Sequence, residues 1–285
     1  MSRNFHSDLL LWAGCVSGRP LKERFEVAIS GGFHSMQVSP LDLARWRRQG
    51  LSASELRRHA AGYGIRITVL DPLTKWLDEW IPPSDMDPRL IRFGDFETDV
   101  VLGMAEELDV ELVVAVEYTG VPLDLAAGVR NFRSLCDRAN DCGIRIALEA
   151  MPFSGIATLG KAWEIVKRAD RSNGGLVIDT WHVSHSPRAD EDIELIAKIP
   201  ASRVFCLQIS DSRAIPAGTD LRSEAIEGRL LPGDGTIDLH RILSAIDPAS
   251  LSEIAIGPEI FSADLSELPP AELGSSLRRS IERFV

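Results

Sequence analysis

Eight short apolar runs punctuate the chain, and each is followed by a longer stretch whose apolar residues recur at helical spacing. The runs are Leu9 to Gly14, Phe33 to Val38, Ile65 to Leu70, Leu112 to Val116, Ile144 to Leu148, Leu176 to Ile178, Val204 to Ile209 and Ile254 to Ile256. Strands covered on both faces read as continuous apolar runs, and parallel strands need helical crossovers, so the alternation predicts parallel β/α units. Candidate helices lie near residues 20–29, 41–48 with 52–62, 94–108, 122–141, 157–171, 190–198, 237–246 and 270–284. Ser52-Ala53-Ser54-Glu55 and Thr158 read as helix starts, where a hydroxyl accepts an unpaired backbone N–H. Gly64 and Gly143, each just before a strand, read as helix stops. Eight such units in 285 residues match a (β/α)8 TIM barrel. A doubly wound open sheet is the competing architecture, weakened because no Gly-x-Gly-x-x-Gly turn follows any run.

The chain is read as a single domain over residues 1–285, since no repeat, low-complexity tract or Ser/Gly linker divides it. One insertion, Trp76 to Phe96, contains Pro82, Pro83 and Pro88 and is too proline-rich for one helix. It reads either as a lid over the barrel mouth or as a packed surface loop. With 31 Lys and Arg against 42 Asp and Glu the formal charge is −11, which opposes attraction to a phosphate backbone, so nucleic acid is not an expected partner. Cys15, Cys136, Cys142 and Cys206 fall in unrelated segments without a C-x-x-C pair, which fits a reducing cytoplasm better than a disulfide or thiolate-zinc framework. Nowhere do eighteen apolar residues run together, and the first residues lack an apolar core with a cleavage site; no membrane span or export signal is expected.

In a barrel of this kind the carboxyl ends of the strands face the site, so polar residues there point to chemistry. The fifth run ends Leu148-Glu149-Ala150-Met151-Pro152 and the sixth Ile178-Asp179-Thr180-Trp181-His182. The seventh carries Gln208 and ends at Ser210-Asp211, and the eighth ends Gly257-Pro258-Glu259. Grouping Glu149, Asp179 and Glu259 at one mouth is costly, because neighbouring carboxylates raise one another's pKa. A divalent cation removes that conflict. Three carboxylates plus the amide oxygen of Gln208 make a hard set suited to one Mn2+, Mg2+ or Co2+ ion, with Zn2+ less favoured. Singly, each residue could instead cap a helix or pair with an arginine. Arg229, in Arg229-Leu-Leu-Pro-Gly-Asp-Gly, offers a planar fork for a substrate oxygen, or else pairs with Asp234 or Asp238.

The ordered set Glu149-Ala-Met-Pro, Asp179-x-x-His182, Gln208-x-x-Asp211, Arg229-x-x-Pro232-Gly233-x-Gly235 and Glu259 resembles the xylose-isomerase-like TIM-barrel superfamily of sugar-phosphate isomerases and epimerases. The likeness spans essentially the whole chain. It implies that Glu149, Asp179, Gln208 and Glu259 bind one divalent metal and that His182 touches the substrate. Many epimerase members carry histidine where this chain has Gln208, and dehydroshikimate dehydratase-like members are closer at that strand. The relatives also imply a homodimer paired through the helical shells. Endonuclease IV-type enzymes share the barrel, but their zinc cluster needs more strand-end histidines than this chain offers.

These readings lead to a metal-dependent isomerase or epimerase acting on a polyhydroxylated keto sugar or cyclic polyol ketone through an enediolate. A dehydratase (lyase) acting on 3-dehydroshikimate or a keto-inositol is the alternative, and a non-catalytic sugar-binding barrel a third reading. Glu149 or Glu259 would act as the base. His182 would bind a substrate oxygen or shuttle a proton, so that its titration is expected in a pH–rate profile. His34 and Glu117 occupy plausible mouth positions but read more readily as hydrogen-bonded structural residues. Trp76, Trp80, Phe153, Trp181 and Phe261 follow strands and are candidates for a pocket wall, with ordinary packing expected for at least half. His185 and Lys161 have no spacing that demands a role, and His6, His59 and His240 read as surface or helix residues.

Overall fold

A computed structural model describes residues 9–247 and 254–284. The stretch Met1 to Asp8, with His6 and the expected absence of an export signal, lies outside the described residues. Each apolar run overlaps a strand: β1 (Leu10–Leu11), β2 (Ser35–Val38), β3 (Arg66–Leu73), β4 (Leu112–Val116), β5 (Arg145–Glu149), β6 (Gly174–Asp179), β7 (Val204–Ile209) and β8 (Ala255–Pro258). Every strand pairs in parallel with the next in sequence. Leu9 bridges Ile256, again in parallel, and brings the first strand against the last. Sequential order with the ends meeting is barrel topology; an open doubly wound sheet would reverse its order and leave two edges.

The intervening helices start and stop where local chemistry directs. Ser52 and Glu55 form a reciprocal capping box ahead of helix Ala53–Gly62. The Thr158 hydroxyl accepts from the Lys161 N–H at 3.1 Å ahead of helix Leu159–Ala169. Gly64 and Gly143 adopt φ of 72° and 71°, the left-handed geometry that glycine takes most cheaply between helix and strand. No helix among the described residues is long and apolar enough to cross a membrane.

Side chains alternate between two apolar layers with the period of a strand. On β4, Val113 and Ala115 pack outward under the helices, whereas Leu112, Val114 and Val116 join Leu10, Trp12, Ala147, Val177, Phe205 and Cys206 in a second cluster within the barrel. That parity places the site. Glu149 lies two residues beyond Ala147, Asp179 two beyond Val177, and Gln208 two beyond Cys206, so each inherits the inward face at the carboxyl end of its strand. Cross-strand register sets Asp179 beside Gln208 and Gln208 beside Gly257, two residues before Glu259.

Further elements at the barrel mouth went unread in the sequence. Helices Pro88–Gly94, Thr180–Ser184 and Leu221–Glu227 lie in loops that follow β3, β6 and β7. Asp211–Ser212 and Arg229–Leu230 pair as an antiparallel ribbon. All decorate the end of the barrel at which Glu149, Asp179 and Glu259 emerge.

Candidate active site

Asp179 leaves β6 straight into helix Thr180–Ser184. One carboxylate oxygen accepts the backbone N–H groups of Trp181 and His182 at 2.7 and 3.0 Å, and the other, Oδ2, receives Arg229 Nη1 at 2.7 Å. The short helix brings His182 back toward the strand ends. Its Nε2 lies 3.5 Å from Glu149 Oε1 and 4.0 Å from Asp179 Oδ2. Glu149, Asp179 and His182 thus offer donor atoms within 4.8 Å of one another, all buried.

Arg229 ties the remaining acid into this group. Its Nη1 donates to Glu259 Oε2 and to the Glu259 carbonyl, both at 3.2 Å, while Nε donates to the Ala225 carbonyl at 2.9 Å. Nη2 lies 3.1 Å from His182 Nε2. A donating guanidinium makes that ring nitrogen the acceptor, so the imidazole proton sits on Nδ1, which is buried without a partner. Arg229, a candidate for holding a substrate oxygen, is paired with Asp179 and Glu259 and not with Asp234 or Asp238, the alternative partners. Asp238 instead accepts from the Arg241 N–H ahead of helix Leu239–Ser244.

Gln208 is fully buried, and neither its amide oxygen nor its amide nitrogen has a hydrogen-bond partner. An amide left unpaired in the interior costs about 1–3 kcal/mol for each orphaned group. An orphaned oxygen next to Asp179 is the observation that makes this donor set suit a cation.

Burial and mutual repulsion dominate the electrostatics. Burial, then the charges of Glu259, Asp179 and Asp71, hold Glu149 well above the ordinary carboxylate range. Burial also raises Glu259 well above it, against the pull of Arg229. Burial would raise Asp179 too, but the Arg229 guanidinium carries it below its usual value. His182 is pushed down to about 3 by burial, the Asp179 charge recovering only part of the shift. Burial therefore favours the neutral ring, which runs against the expectation that His182 titrates in a neutral pH–rate profile.

Asp71 was missed in the sequence. Burial lifts its carboxyl to about 7, and its charge acts on both Glu149 and Glu259. The signal that could have found it is the one that found Glu149: an acid directly after an apolar run and shortly before a proline. Asp71, Glu149, Glu259, His182 and Arg229 line a cavity of about 120 Å3, walled by Leu90, Phe93, Met151, Phe153, Ile226 and Phe261. Arg222 lies at the same cavity.

Other named residues take structural work. Asp211 accepts backbone N–H groups from Ser212, Gly233, Gly235 and Ile237, which shapes the loop that follows Arg229. Glu117 accepts from Thr119 and from the Gly155 N–H. His34 is exposed immediately before β2, at the opposite rim from the site. Lys161 donates to the carbonyls of Leu123 and Gly155, and His185 stacks on Trp181 at 4.2 Å. Of the five aromatic candidates, Phe153 and Phe261 line the cavity; Trp76 and Trp181 are buried in packing, and Trp80 is half-buried against Lys75.

A sequential eight-strand barrel with acids on three of its last four strand ends is the arrangement against which known proteins can be compared. A profile of the xylose isomerase-like TIM barrel family matches residues 25–283. The chain belongs to that family. Among curated relatives, it is 28% identical over 232 residues to a 3-dehydroshikimate dehydratase of Pseudomonas aeruginosa, a match covering 79% of this chain and 34% of the relative. It is 31% identical over 183 residues to an inosose isomerase of Bacillus subtilis, covering 63% of this chain and 62% of the relative. The chain thus spans about a third of the dehydratase and under two thirds of the isomerase. Among solved structures, a zinc-bound IOLI protein superposes with a TM-score of 0.78 at 23% identity, covering 98% of this chain and 99% of that one. This family member accordingly has a 3-dehydroshikimate dehydratase and an inosose isomerase among its relatives, and a side-chain cluster that could hold a metal ion.

Proposed function

We propose that the chain is a metal-dependent enolising enzyme, an isomerase or epimerase of a polyhydroxylated ketone. The observation that carries the reading is the convergence of Glu149, Asp179 and His182 beside the unpartnered amide of Gln208. Glu149, Asp179, Gln208 and Glu259 would hold the cation, for which Mn2+, Mg2+ or Co2+ suits the oxygen-rich set; the zinc of the IOLI structure belongs to that protein. A divalent ion bound there would supply the positive charge that stabilises an enediolate.

The chain's own groups would do the proton chemistry. Arg229 makes no hydrogen bond to Glu149, whereas it fastens Glu259, so Glu149 is the freer carboxylate and the better base. Glu149 takes the proton from the carbon next to the ketone, and the electron pair moves into the new carbon–carbon double bond as the carbonyl oxygen becomes an oxyanion. Delivery of a proton by Glu259 to the opposite face gives the epimer, and return of the proton by Glu149 to the neighbouring carbon gives the isomer. Neutral His182 binds a substrate oxygen, and Arg229 holds Asp179, Glu259 and His182 in register for substrate. Leu90 and Phe93, both on helix Pro88–Gly94 of the 76–96 insertion, act as the lid that excludes water. Dehydration, in which the same enolate expels a β-hydroxyl, is the second reading. It is favoured by Gln208 and by the dehydratase relative.

The test is solvent deuterium exchange at the α-carbon across a panel of ketoses, inososes and 3-dehydroshikimate, with Mn2+ or Mg2+ added. Glu149→Gln should lower exchange by about 10²- to 10⁴-fold, the usual worth of a positioned base. Full exchange in that variant would remove Glu149 from its role, and metal binding without exchange on any ketone would favour a sugar-binding barrel.

A further inference from the structure

Arg222 stands out against its surroundings. It begins the second position of helix Leu221–Glu227, lines the cavity, and rests over the Phe153 ring with 5.6 Å from guanidinium to centroid. Only Nη2 is engaged, donating to the Tyr118 carbonyl at 3.1 Å and the Thr119 carbonyl at 3.5 Å. Nε is buried with no partner. The acid that feels its charge is Asp220, which accepts the Arg222 backbone N–H at 3.1 Å rather than a guanidinium donor. The other cavity guanidinium, Arg229, is spent on Asp179 and Glu259. A guanidinium with an orphaned N–H and no carboxylate on its donors, at the mouth of an acidic crater, has hydrogen-bonding capacity to offer a ligand.

We infer that Arg222 is a specificity-determining residue that reads a carboxylate on the substrate, selecting a cyclic ketone that carries an acid over a neutral polyol ketone. The inference rests on the enolising reading for what happens to the substrate, but not for what binds. A planar carboxylate suits one guanidinium, whose charge-assisted hydrogen bonds are about twice as strong as neutral ones. A phosphate is the poorer match. Its dianion needs several donors, whereas the neighbouring walls are apolar and the Tyr118 hydroxyl is spent on the Leu90 carbonyl at 2.9 Å. The Phe153 ring, 5.6 Å from the guanidinium carbon, steadies the side chain and lowers the entropy cost of binding an anion.

Calorimetric titration of the full chain with shikimate, a ring acid without a ketone, and with its methyl ester isolates this contact. The wild type should bind the acid about tenfold or more tightly than the ester. Arg222→Gln should bind the two alike, and Arg222→Lys should keep part of the preference, with circular dichroism confirming that both variants fold. Equal binding of acid and ester by the wild type, or no binding of either, would overturn the inference without recourse to any variant. Persistence of the preference in folded Arg222→Gln would move the anion site elsewhere and overturn the assignment of Arg222. Tighter binding of myo-inositol 1-phosphate than of shikimate would overturn the carboxylate. Because titration needs no turnover, failure of deuterium exchange on every ketone would defeat the enolising reading and leave this one standing.

Discussion

Arg229 is the positive charge around which the crater is assembled, and replacing it by leucine measures how much that charge contributes. The guanidinium is 2% exposed, with Asp179 Oδ2 at 2.7 Å and Glu259 Oε2 at 3.2 Å. Its removal leaves two buried carboxylates without their cation, and breaking a buried ion pair from one side costs about 3–5 kcal/mol. At about 2 °C of melting temperature per kcal/mol for a large domain, Arg229→Leu should melt at least about 6 °C below the wild type in the presence of a chelator. The loss should be larger at pH 8 than at pH 5.5, because at the lower pH Asp179 and Glu259 can shed the repulsion by taking up protons. A divalent ion would restore the missing charge, and in the wild type it must share Asp179 and Glu259 with Arg229. Saturating Mn2+ should therefore raise the melting temperature more in the variant than in the wild type, and calorimetry should show tighter Mn2+ binding. Scanning fluorimetry at both pH values, with chelator and then with MnCl2, reads all of this. A variant that melts with the wild type in chelator at pH 8, or that gains no more from Mn2+, would refute the view of Arg229 as the site's internal counter-ion.

Gln208→Leu removes two orphaned buried polar atoms, so metal-free stability should hold or rise while calorimetric Mn2+ affinity falls about tenfold or more; a stability loss with unchanged affinity would contradict the ligand role. The metal-free protein should lose stability as pH rises from about 5 to 8. Glu149, Glu259 and Asp71 all have folded pKa values above their unfolded ones, the last at about 7, so the native state binds more protons, and the stabilisation is complete below pH 4 and is released as these groups ionise. Asp71→Asn should flatten that decline in chelator-treated melts. Asp211→Ala strips the acceptor from four backbone N–H groups, at about 1–3 kcal/mol for each donor left unsatisfied, and should lower the melting temperature and raise KM together, since Asp211–Ser212 pairs with the strand that carries Arg229.

What could be read from residues alone followed from the strictness of strand physics. A strand buried on both faces excludes polar side chains until its carboxyl end, so Glu149, Asp179 and Gln208 announce themselves as the first polar groups at the end of an apolar run. Asp71 obeys the same rule yet escaped. Pro72 reads as a strand terminator, whereas β3 continues to Leu73 through an irregular register, and the acid is carried inward within it. Arg222 and the partners of Arg229 belong to another class, set by contacts between distant segments. Sequence proximity favours Asp234 and Asp238 for Arg229, but both stand near solvent, where an ion pair is worth about 0–1 kcal/mol. The ribbon with Asp211–Ser212 carries the arginine to the barrel interior instead, where its carboxylate partners have no water to compete and the same charge decides which protons the site holds. Local patterning therefore finds the acids, because their placement is a property of single strands. The cation that balances them is positioned by a ribbon whose two halves lie 18 residues apart, and only the assembled barrel mouth makes that distant partner the stronger one.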